Sequence, residues 1–155
     1  MDKRQAREIL FTLVYEYEFN TDKSANEIYD NARESRDFEN FRYIKKGLTD
    51  IVLNKNYLSD VIEKHSNNWK INRIAPVTRA ILFVGAYDMI FKSTPHAVAI
   101  NEALELAKSF DTDESVSFIN GILNSIAKNI DDILAEREKS LSSVEESTGD
   151  NGSEE

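Results

Sequence analysis

Apolar residues recur at the helical period along most of the chain. In the first segment they fall three or four positions apart, so they share one face of a helix. The positions on this face are Ala6, Ile9, Leu10, Leu13, Val14 and Tyr17. Similar stripes follow to about residue 134, and no stretch shows the sustained two-residue alternation of a half-buried strand. The pattern therefore predicts an all-α fold, a helical bundle of about seven helices.

Capping residues and prolines divide this pattern into separate helices. The predicted start signals are Ser24 with Glu27, Asp37, Pro76, the pair Thr94-Pro95 and a cap within residues 111–113. Residues 77–91, VTRAILFVGAYDMIF, are apolar nearly all round, which predicts a central helix that the others cover on most sides. Beyond the last cap, one long apolar stripe from Ile119 to Leu134 predicts a single final helix.

The distribution of charge separates a folded domain from a tail. The chain has 155 residues, a length typical of one domain. Its last sixteen residues, SLSSVEESTGDNGSEE, contain five acidic residues and no basic one. They offer little to bury, so we expect a disordered acidic tail at 140–155 after a folded domain at 1–139. Because the tail holds five of the nine net negative charges, the domain is only mildly acidic and can carry local basic surface.

Residue types used in catalysis are scarce. The chain has no cysteine, which excludes disulfides, thiolate metal sites and cysteine nucleophiles. The two histidines, His65 and His96, lie far apart near predicted helix ends, and Glu102 with Glu105 is an isolated pair on a charged surface. The sequence has no glycine-rich phosphate loop and no zinc-protease motif. We therefore expect a protein that is not an enzyme and that uses neither a cofactor nor a metal.

The start of the chain and its hydropathy indicate a cytoplasmic protein. The chain begins MDKRQARE, charged from its second residue, unlike a secretory signal peptide. Its longest unbroken apolar run, at 80–87, is far shorter than the ~20 residues of a membrane span. We therefore expect no association with a membrane.

Two local features indicate binding. Lys3, Arg4 and Arg7 lie together at the start of the first predicted helix, where the helix dipole disfavours cations. They form either an ordinary solvated turn or a site for an anionic ligand. Phe118 lies about 100° from Ile119, the centre of the final stripe, so it is either half-buried on the flank or a platform for a base of single-stranded nucleic acid. Residues 69–93 also carry a net positive charge within an acidic protein, and this mixed distribution is compatible with binding both a nucleic acid and a protein partner.

Three segments resemble the NusB family of bacterial transcription antitermination factors. Residues 95–123, PHAVAINEALELAKSFDTDESVSFINGIL, are similar to the hallmark sequence of the family. Residues 77–90, VTRAILFVGAYDMI, and residues 4–19, RQAREILFTLVYEYEF, resemble two further family motifs. Together with the helical pattern, the resemblance spans about residues 3–135.

The resemblance implies two helical subdomains, at about 3–54 and 55–139, and binding of boxA-type single-stranded RNA from ribosomal RNA operon leaders. It implies a complex with NusE, a small-subunit ribosomal protein, that makes RNA polymerase resist termination, with other Nus factors involved indirectly. The implied RNA site joins the basic start of the first helix to the start of the last helix. Its residues here are Lys3, Arg4, Arg7, Tyr15, Glu114, Ser115 and Phe118. The implied partner-binding residues are Thr78, Arg79 and Phe83.

The basic motif is thinner here than is usual in the family. Gln5 interrupts the N-terminal basic residues, and Ala97 stands where a lysine is usual. Since each lost phosphate contact weakens binding, we hypothesise that the protein alone binds RNA weakly and relies on NusE. The alternative is a NusB-like protein-interaction module with reduced or lost RNA binding. Self-association as a homodimer stays open, because some members of the family self-associate.

Overall fold

The computed structural model describes the backbone of residues 1–152 and the side chains of residues 1–143. This part of the chain contains eight α-helices and no strand. The helices are α1 (Lys3–Glu18), α2 (Ala25–Arg36), α3 (Arg42–Leu53), α4 (Lys55–Lys64), α5 (Pro76–Ile90), α6 (His96–Phe110), α7 (Asp113–Lys128) and α8 (Ile130–Gly152). A short 3₁₀ turn at Ile71–Arg73 connects α4 to α5. The predicted all-α fold is confirmed.

Helix α5 occupies the centre of the bundle. All of its residues from Ala80 to Ile90 are buried, and it packs against α1, α3, α4, α6, α7 and α8. This confirms the central helix that the nearly continuous apolar run predicts. The buried apolar side chains of both predicted halves form one contiguous cluster around it. The site residues on α1 and α7 are therefore held by a common core.

Two glycines allow helices to approach closely. A Cβ atom at Gly47 on α3 would lie 2.8 Å from Cδ2 of Leu10 on α1. A Cβ atom at Gly85 on α5 would lie 2.9 Å from Cδ1 of Leu123 on α7. Both distances are shorter than the ordinary carbon–carbon contact of about 3.5–4.0 Å. Because glycine has no side chain, α1 packs on α3 and α7 packs on α5 more closely than an alanine at either position would allow.

Most predicted helix starts are present, and two differ. Pro95 rather than Thr94 is the N-cap of α6, and no side chain caps that helix. Ser24 caps α2 by accepting a hydrogen bond from the Glu27 amide, and Thr112 caps α7 within the predicted window. Asp37, predicted to begin the third helix, instead ends α2 in a left-handed conformation with φ of 52°. Aspartate tolerates this conformation better than most residues, so the same side chain is found at both kinds of helix end. Helix α3 begins five residues later, at Arg42.

The final stripe forms two helices, which raises the total from about seven to eight. Asn129 separates α7 from α8, and its side-chain Nδ2 donates to the carbonyl of Ser125 at 2.8 Å. Such local side-chain hydrogen bonds compete with the regular helix. Helix α8 then continues to Gly152, through much of the segment where the sequence predicts a disordered tail. The first turns of α8 pack on the bundle. Because residues 130–148 contain neither glycine nor proline, nothing in this segment interrupts the helix once these turns have formed. Residues 153–155 of the predicted tail lie outside the described residues.

Candidate nucleic-acid interface

A reciprocal cap sets the start of α1. Asp2 Oδ1 accepts a hydrogen bond from the Gln5 amide at 2.8 Å, and Gln5 Oε1 accepts one from the Asp2 amide at 3.0 Å. This capping box satisfies two backbone donors that the helix leaves unpaired. Gln5, which interrupts the basic residues in the sequence, therefore has a structural role. The three neighbouring basic residues have quite different environments.

Arg7, which the resemblance places in the RNA site, is buried in this structure. Only 6% of its side chain is exposed, and its Nε donates to Asp88 Oδ2 at 2.8 Å. The hydroxyl of Tyr43 donates to the other oxygen of the same carboxylate, also at 2.8 Å. Burial and the Asp88 charge raise the pKa of Tyr43 above its usual range, so it remains a hydrogen-bond donor. Arg7 thus ties α1 to α5 and α3 inside the protein.

Arg4 and Lys3 reach the solvent, but each has an internal neighbour. The Arg4 side chain is 64% exposed and forms a two-pronged ion pair with Glu102 on α6. Its Nε lies 3.0 Å from Oε2 and its Nη2 lies 2.9 Å from Oε1. The Arg4 hydrogen bond lowers the pKa of Glu102, which keeps the carboxylate charged. Lys3 Nζ lies 4.4 Å from the centre of the Tyr43 ring, a favourable cation–π geometry.

A groove between α1 and α6 surrounds the Arg4 ion pair. Its lining residues are Arg4, Arg7, Glu8, Glu102, Glu105, Leu106, Ser109 and Phe110. The groove places three carboxylates beside two guanidinium groups, so it is not a basic patch. Phe11 on α1 packs on Phe110 with ring centres 5.1 Å apart. Helix α1 therefore follows α6 from Glu102 to Phe110, about 12 Å at 1.5 Å per residue.

A second groove lies at the start of α7. Its lining residues are Trp69, Arg73, Ile74, Ala75, Thr78, Thr112, Glu114, Ser115 and Phe118. The Thr112 side chain accepts a hydrogen bond from the Ser115 amide at 3.1 Å and so begins the helix here. Phe118 is half-buried and meets Trp69 edge-to-face, with ring centres 6.0 Å apart and planes inclined by 73°. Glu114 is exposed at the edge of this groove.

The two grooves lie next to each other without merging. Phe110 lines the first and Thr112 lines the second, so the end of α6 joins them. Between them, Asp111 Oδ2 accepts a hydrogen bond from Thr78 Oγ1 at 2.6 Å. Tyr15 lies one helical turn after Phe11 and so projects from the side of α1 that faces the end of α6. None of the predicted site residues from α1 lines the groove at Phe118, and Lys3, which lies over the Tyr43 ring on α3, lines neither groove.

Sequence analysis missed the two residues that stand beside Phe118. Trp69 is 51% exposed, and Arg73 is exposed in the 3₁₀ turn. Both precede α5, in a segment where helical periodicity carries no information. The positive charge of residues 69–93 was a signal for Arg73, and the occurrence of a single tryptophan was a weaker one for Trp69.

Two of the three expected partner-binding residues are buried. Thr78 is 3% exposed and Phe83 is 1% exposed, because α5 is covered on nearly all sides. Arg79 is partly buried, and its Nη2 pairs with Glu18 Oε2 at 3.0 Å. These side chains hold α5 in the bundle and offer a partner little surface.

Comparison with known proteins identifies the family. A profile of the NusB family matches residues 4–128. The chain belongs to the NusB family. It is 39% identical over 134 residues to the transcription antitermination protein NusB of Clostridium perfringens (strain SM101 / Type A), which covers 84% of this chain and 99% of that protein. It is 41% identical over 131 residues to the protein of the same name from Acetivibrio thermocellus, covering 83% of this chain and 90% of that protein.

Solved structures of the NusB family share this fold. The structure of T. maritima NusB matches with a TM-score of 0.71 and 28% identity, over 83% of this chain and 92% of that one. A NusB structure in complex with NusE and double-stranded RNA matches with a TM-score of 0.72 and 25% identity, over 83% of this chain and 98% of that one. The named relatives are transcription antitermination proteins, so family membership confirms that this protein is not an enzyme.

Two further observations concern metal sites and membrane-spanning helices. Among the residues that the structure describes, no three histidine, aspartate or glutamate side chains are grouped to hold a metal ion. No helix in the same part of the chain is both long enough and apolar enough to cross a membrane.

Proposed function

We propose that this member of the NusB family acts in the cytoplasm by binding boxA-type single-stranded RNA from ribosomal RNA operon leaders together with NusE. The complex makes RNA polymerase resist termination, and other Nus factors join it indirectly. The names of the relatives support the role in antitermination, and the similar NusB structure with NusE and RNA supports the two partners.

The observation that supports the proposal is that the groove with Arg4 ends at Phe110 and the groove with Phe118 begins at Thr112, two residues further along the chain. Exposed Lys3 and Arg4 begin α1, half-buried Phe118 lies near the start of α7, and the end of α6 connects them. Proteins bind single strands by combining cations for the backbone with aromatic rings on which bases stack. We place Lys3 and Arg4 against phosphates and Phe118 against a base. Tyr15, Glu114 and Ser115 lie along the path between or beside these contacts.

Charge pairing at the start of α1 supports weak binding by the protein alone. A phosphate that approaches Arg4 competes with Glu102, which already accepts two hydrogen bonds from the guanidinium. Glu8 and Glu105 add two more negative charges to the same groove. Since phosphate contacts supply much of the affinity for nucleic acids, we propose that NusE contributes part of the binding surface.

Fluorescence anisotropy of a labelled boxA RNA tests the proposal. The RNA is titrated with the protein in the presence and absence of NusE, and a fully paired duplex of the same sequence serves as the control. We expect the single strand to bind more tightly than the duplex and NusE to strengthen binding. An absence of RNA binding under both conditions would contradict the proposal.

A second candidate function is a protein-interaction module without RNA binding. The pairing of Arg4 with Glu102 favours it, because this pair removes a cation from the RNA face. Capture of NusE by the immobilised protein, together with no anisotropy change on boxA RNA, would support this alternative. Thr78 and Phe83 are buried in the protein alone, so Arg79 offers the largest surface of the three predicted partner-binding residues.

A further inference from the structure

We propose that Trp69 and Arg73 complete a binding slot for one unpaired nucleobase, with Phe118 as the second aromatic wall and Arg73 holding the adjoining phosphate. The inference rests on the proposed RNA-binding function and adds two residues from the turn before α5. It assigns a role to the groove at the start of α7, which lies next to the groove at Arg4.

The two aromatic rings form a corner open to the solvent. Trp69 and Phe118 meet at 73° with their centres 6.0 Å apart, and both line the same groove. A base stacked on one ring therefore presents its edge to the other ring, and both are favourable aromatic contacts. An exposed indole loses water contact when it is covered, so stacking also buries apolar surface. Every base has such a face, which suits the slot to unpaired RNA.

The turn that carries Trp69 is fixed before any ligand binds. The Ser66 hydroxyl bonds to the carbonyls of Glu63 and Trp69 at 3.0 and 3.2 Å. Asn67 and Asn68 both adopt left-handed backbone conformations, with φ of 54° and 67°. Asparagine tolerates these values better than most residues. The indole is thus held at the surface, 51% exposed, by a backbone with defined hydrogen bonds. A preorganised ring loses less freedom when a base stacks on it.

The two charged residues of the groove indicate how a nucleotide would be oriented in it. Among the described residues, Arg73 forms no ion pair, in contrast to Arg4 and Arg7. It is therefore available for a phosphate. Glu114 lies on the opposite side, where its carboxylate repels a phosphate but can accept a hydrogen bond from the amino group of a base. A phosphate at Arg73 and a base directed towards Glu114 satisfy both charges.

The tryptophan itself reports occupancy of the slot, because it is the only one in the chain. Labelled boxA RNA is titrated with the protein while anisotropy records binding and the emission of Trp69 records stacking. We expect both signals to change with the same midpoint. The Trp69→Ala variant should bind the RNA about 5- to 150-fold more weakly, the range for one base stacked on one ring. Trp69→Phe, which keeps an aromatic wall, should recover most of the affinity.

Two further variants separate the slot from general effects. Arg73→Gln should reduce the slope of log affinity against log salt by about 0.7, as expected for one lost phosphate contact with a single strand. Leu53→Ala removes another exposed apolar side chain, from α3 and outside both grooves, and should leave binding unchanged. Circular dichroism melting of each variant verifies that it is folded.

Failure of the slot and failure of the proposed function give different results. If RNA binds to the native protein but Trp69 emission stays constant and Trp69→Ala binds equally well, the slot is wrong and the RNA-binding function stands. If the labelled RNA fails to bind with or without NusE, both are wrong. With NusE present, the anisotropy of the variants decides, since that signal does not depend on protein fluorescence.

Discussion

The two grooves on the proposed RNA face differ in how their charges are satisfied. At the start of α1, Arg4 pairs with Glu102, and Arg7 pairs with buried Asp88. At the start of α7, Arg73 has no ion pair among the described residues, and the aromatic rings of Trp69 and Phe118 stand at the surface. Basic residues that are adjacent in sequence can therefore serve the fold, whereas a cation outside the motif can be available to a ligand.

Breaking the buried Arg7–Asp88 ion pair should have the largest effect on stability. Asp88→Ala leaves the Arg7 guanidinium buried without its partner and leaves the Tyr43 hydroxyl without its acceptor. Removing one member of a buried ion pair typically lowers the free energy of unfolding by about 3–5 kcal/mol. Urea denaturation followed by circular dichroism measures the change. Glu102→Ala breaks the pair with the mostly exposed Arg4 and a longer contact of 3.8 Å with Arg7 Nη1, but it leaves Arg7 paired with Asp88. This comparison variant should therefore destabilise less. Equal losses in both variants would remove the distinction between the two arginines.

Removal of the Phe118 ring from the groove at the start of α7 should affect RNA binding more than stability. Phe118→Ala should weaken binding of boxA RNA by about 1–3 kcal/mol and leave helicity nearly unchanged. Anisotropy gives the affinity, and urea denaturation gives the stability of the same variant. A loss of several kcal/mol of folding free energy would show instead that half-buried Phe118 is chiefly a core residue.

Freeing Arg4 from its ion pair with Glu102 should increase RNA affinity, by less than the loss of Phe118 decreases it. Glu102→Gln removes the carboxylate that competes with phosphate, so RNA affinity should increase by up to about fivefold. Glu105→Gln removes the same charge from the same groove without freeing Arg4, which makes it a control for net charge. The prediction fails if the two variants bind RNA equally well, or if Glu102→Gln binds more weakly than the native protein.

The smallest expected effect concerns pH and lies outside both grooves. Burial, and secondarily the charge of Lys64, lower the pKa of His65, whose Nδ1 lies 2.8 Å from Ser125 Oγ on α7. A lowered pKa means that the folded state binds the proton less readily than the unfolded state. Stability should therefore be full above pH 6.5 and decrease as the pH falls below this value. Urea denaturation between pH 7.5 and 5 should show a shallower decrease for His65→Gln; identical profiles would exclude His65.

Local patterns predicted the helices, but not which charges are buried. The Thr112 cap and the central position of α5 could be predicted because capping and apolar density depend on nearby residues. The burial of Arg7 could not, since its partner Asp88 is 81 positions away along the chain. The family resemblance, and not the periodicity, named Thr78 and Phe83 as partner-binding residues, although the apolar run already predicted that other helices cover α5 on most sides.

The family resemblance located the face but not its full set of residues. It pointed to Phe118 and Ser115 at the start of α7, and both line the second groove. Trp69 and Arg73 belong to the turn between α4 and α5, where neither periodicity nor the matched motifs constrain side-chain positions. Only tertiary packing brings Trp69 against Phe118 and places Arg73 in the same groove.

The most direct test of a single RNA path across both grooves is a double-substitution cycle on RNA affinity. Anisotropy with boxA RNA and NusE is measured for Lys3→Ala, Phe118→Ala and the variant with both changes. Because a strand that contacts both ends meets them at separate places, each change should weaken binding, and the two free-energy losses should add to within about 0.5 kcal/mol. Affinity that depends on only one of the two residues would contradict the path proposed here.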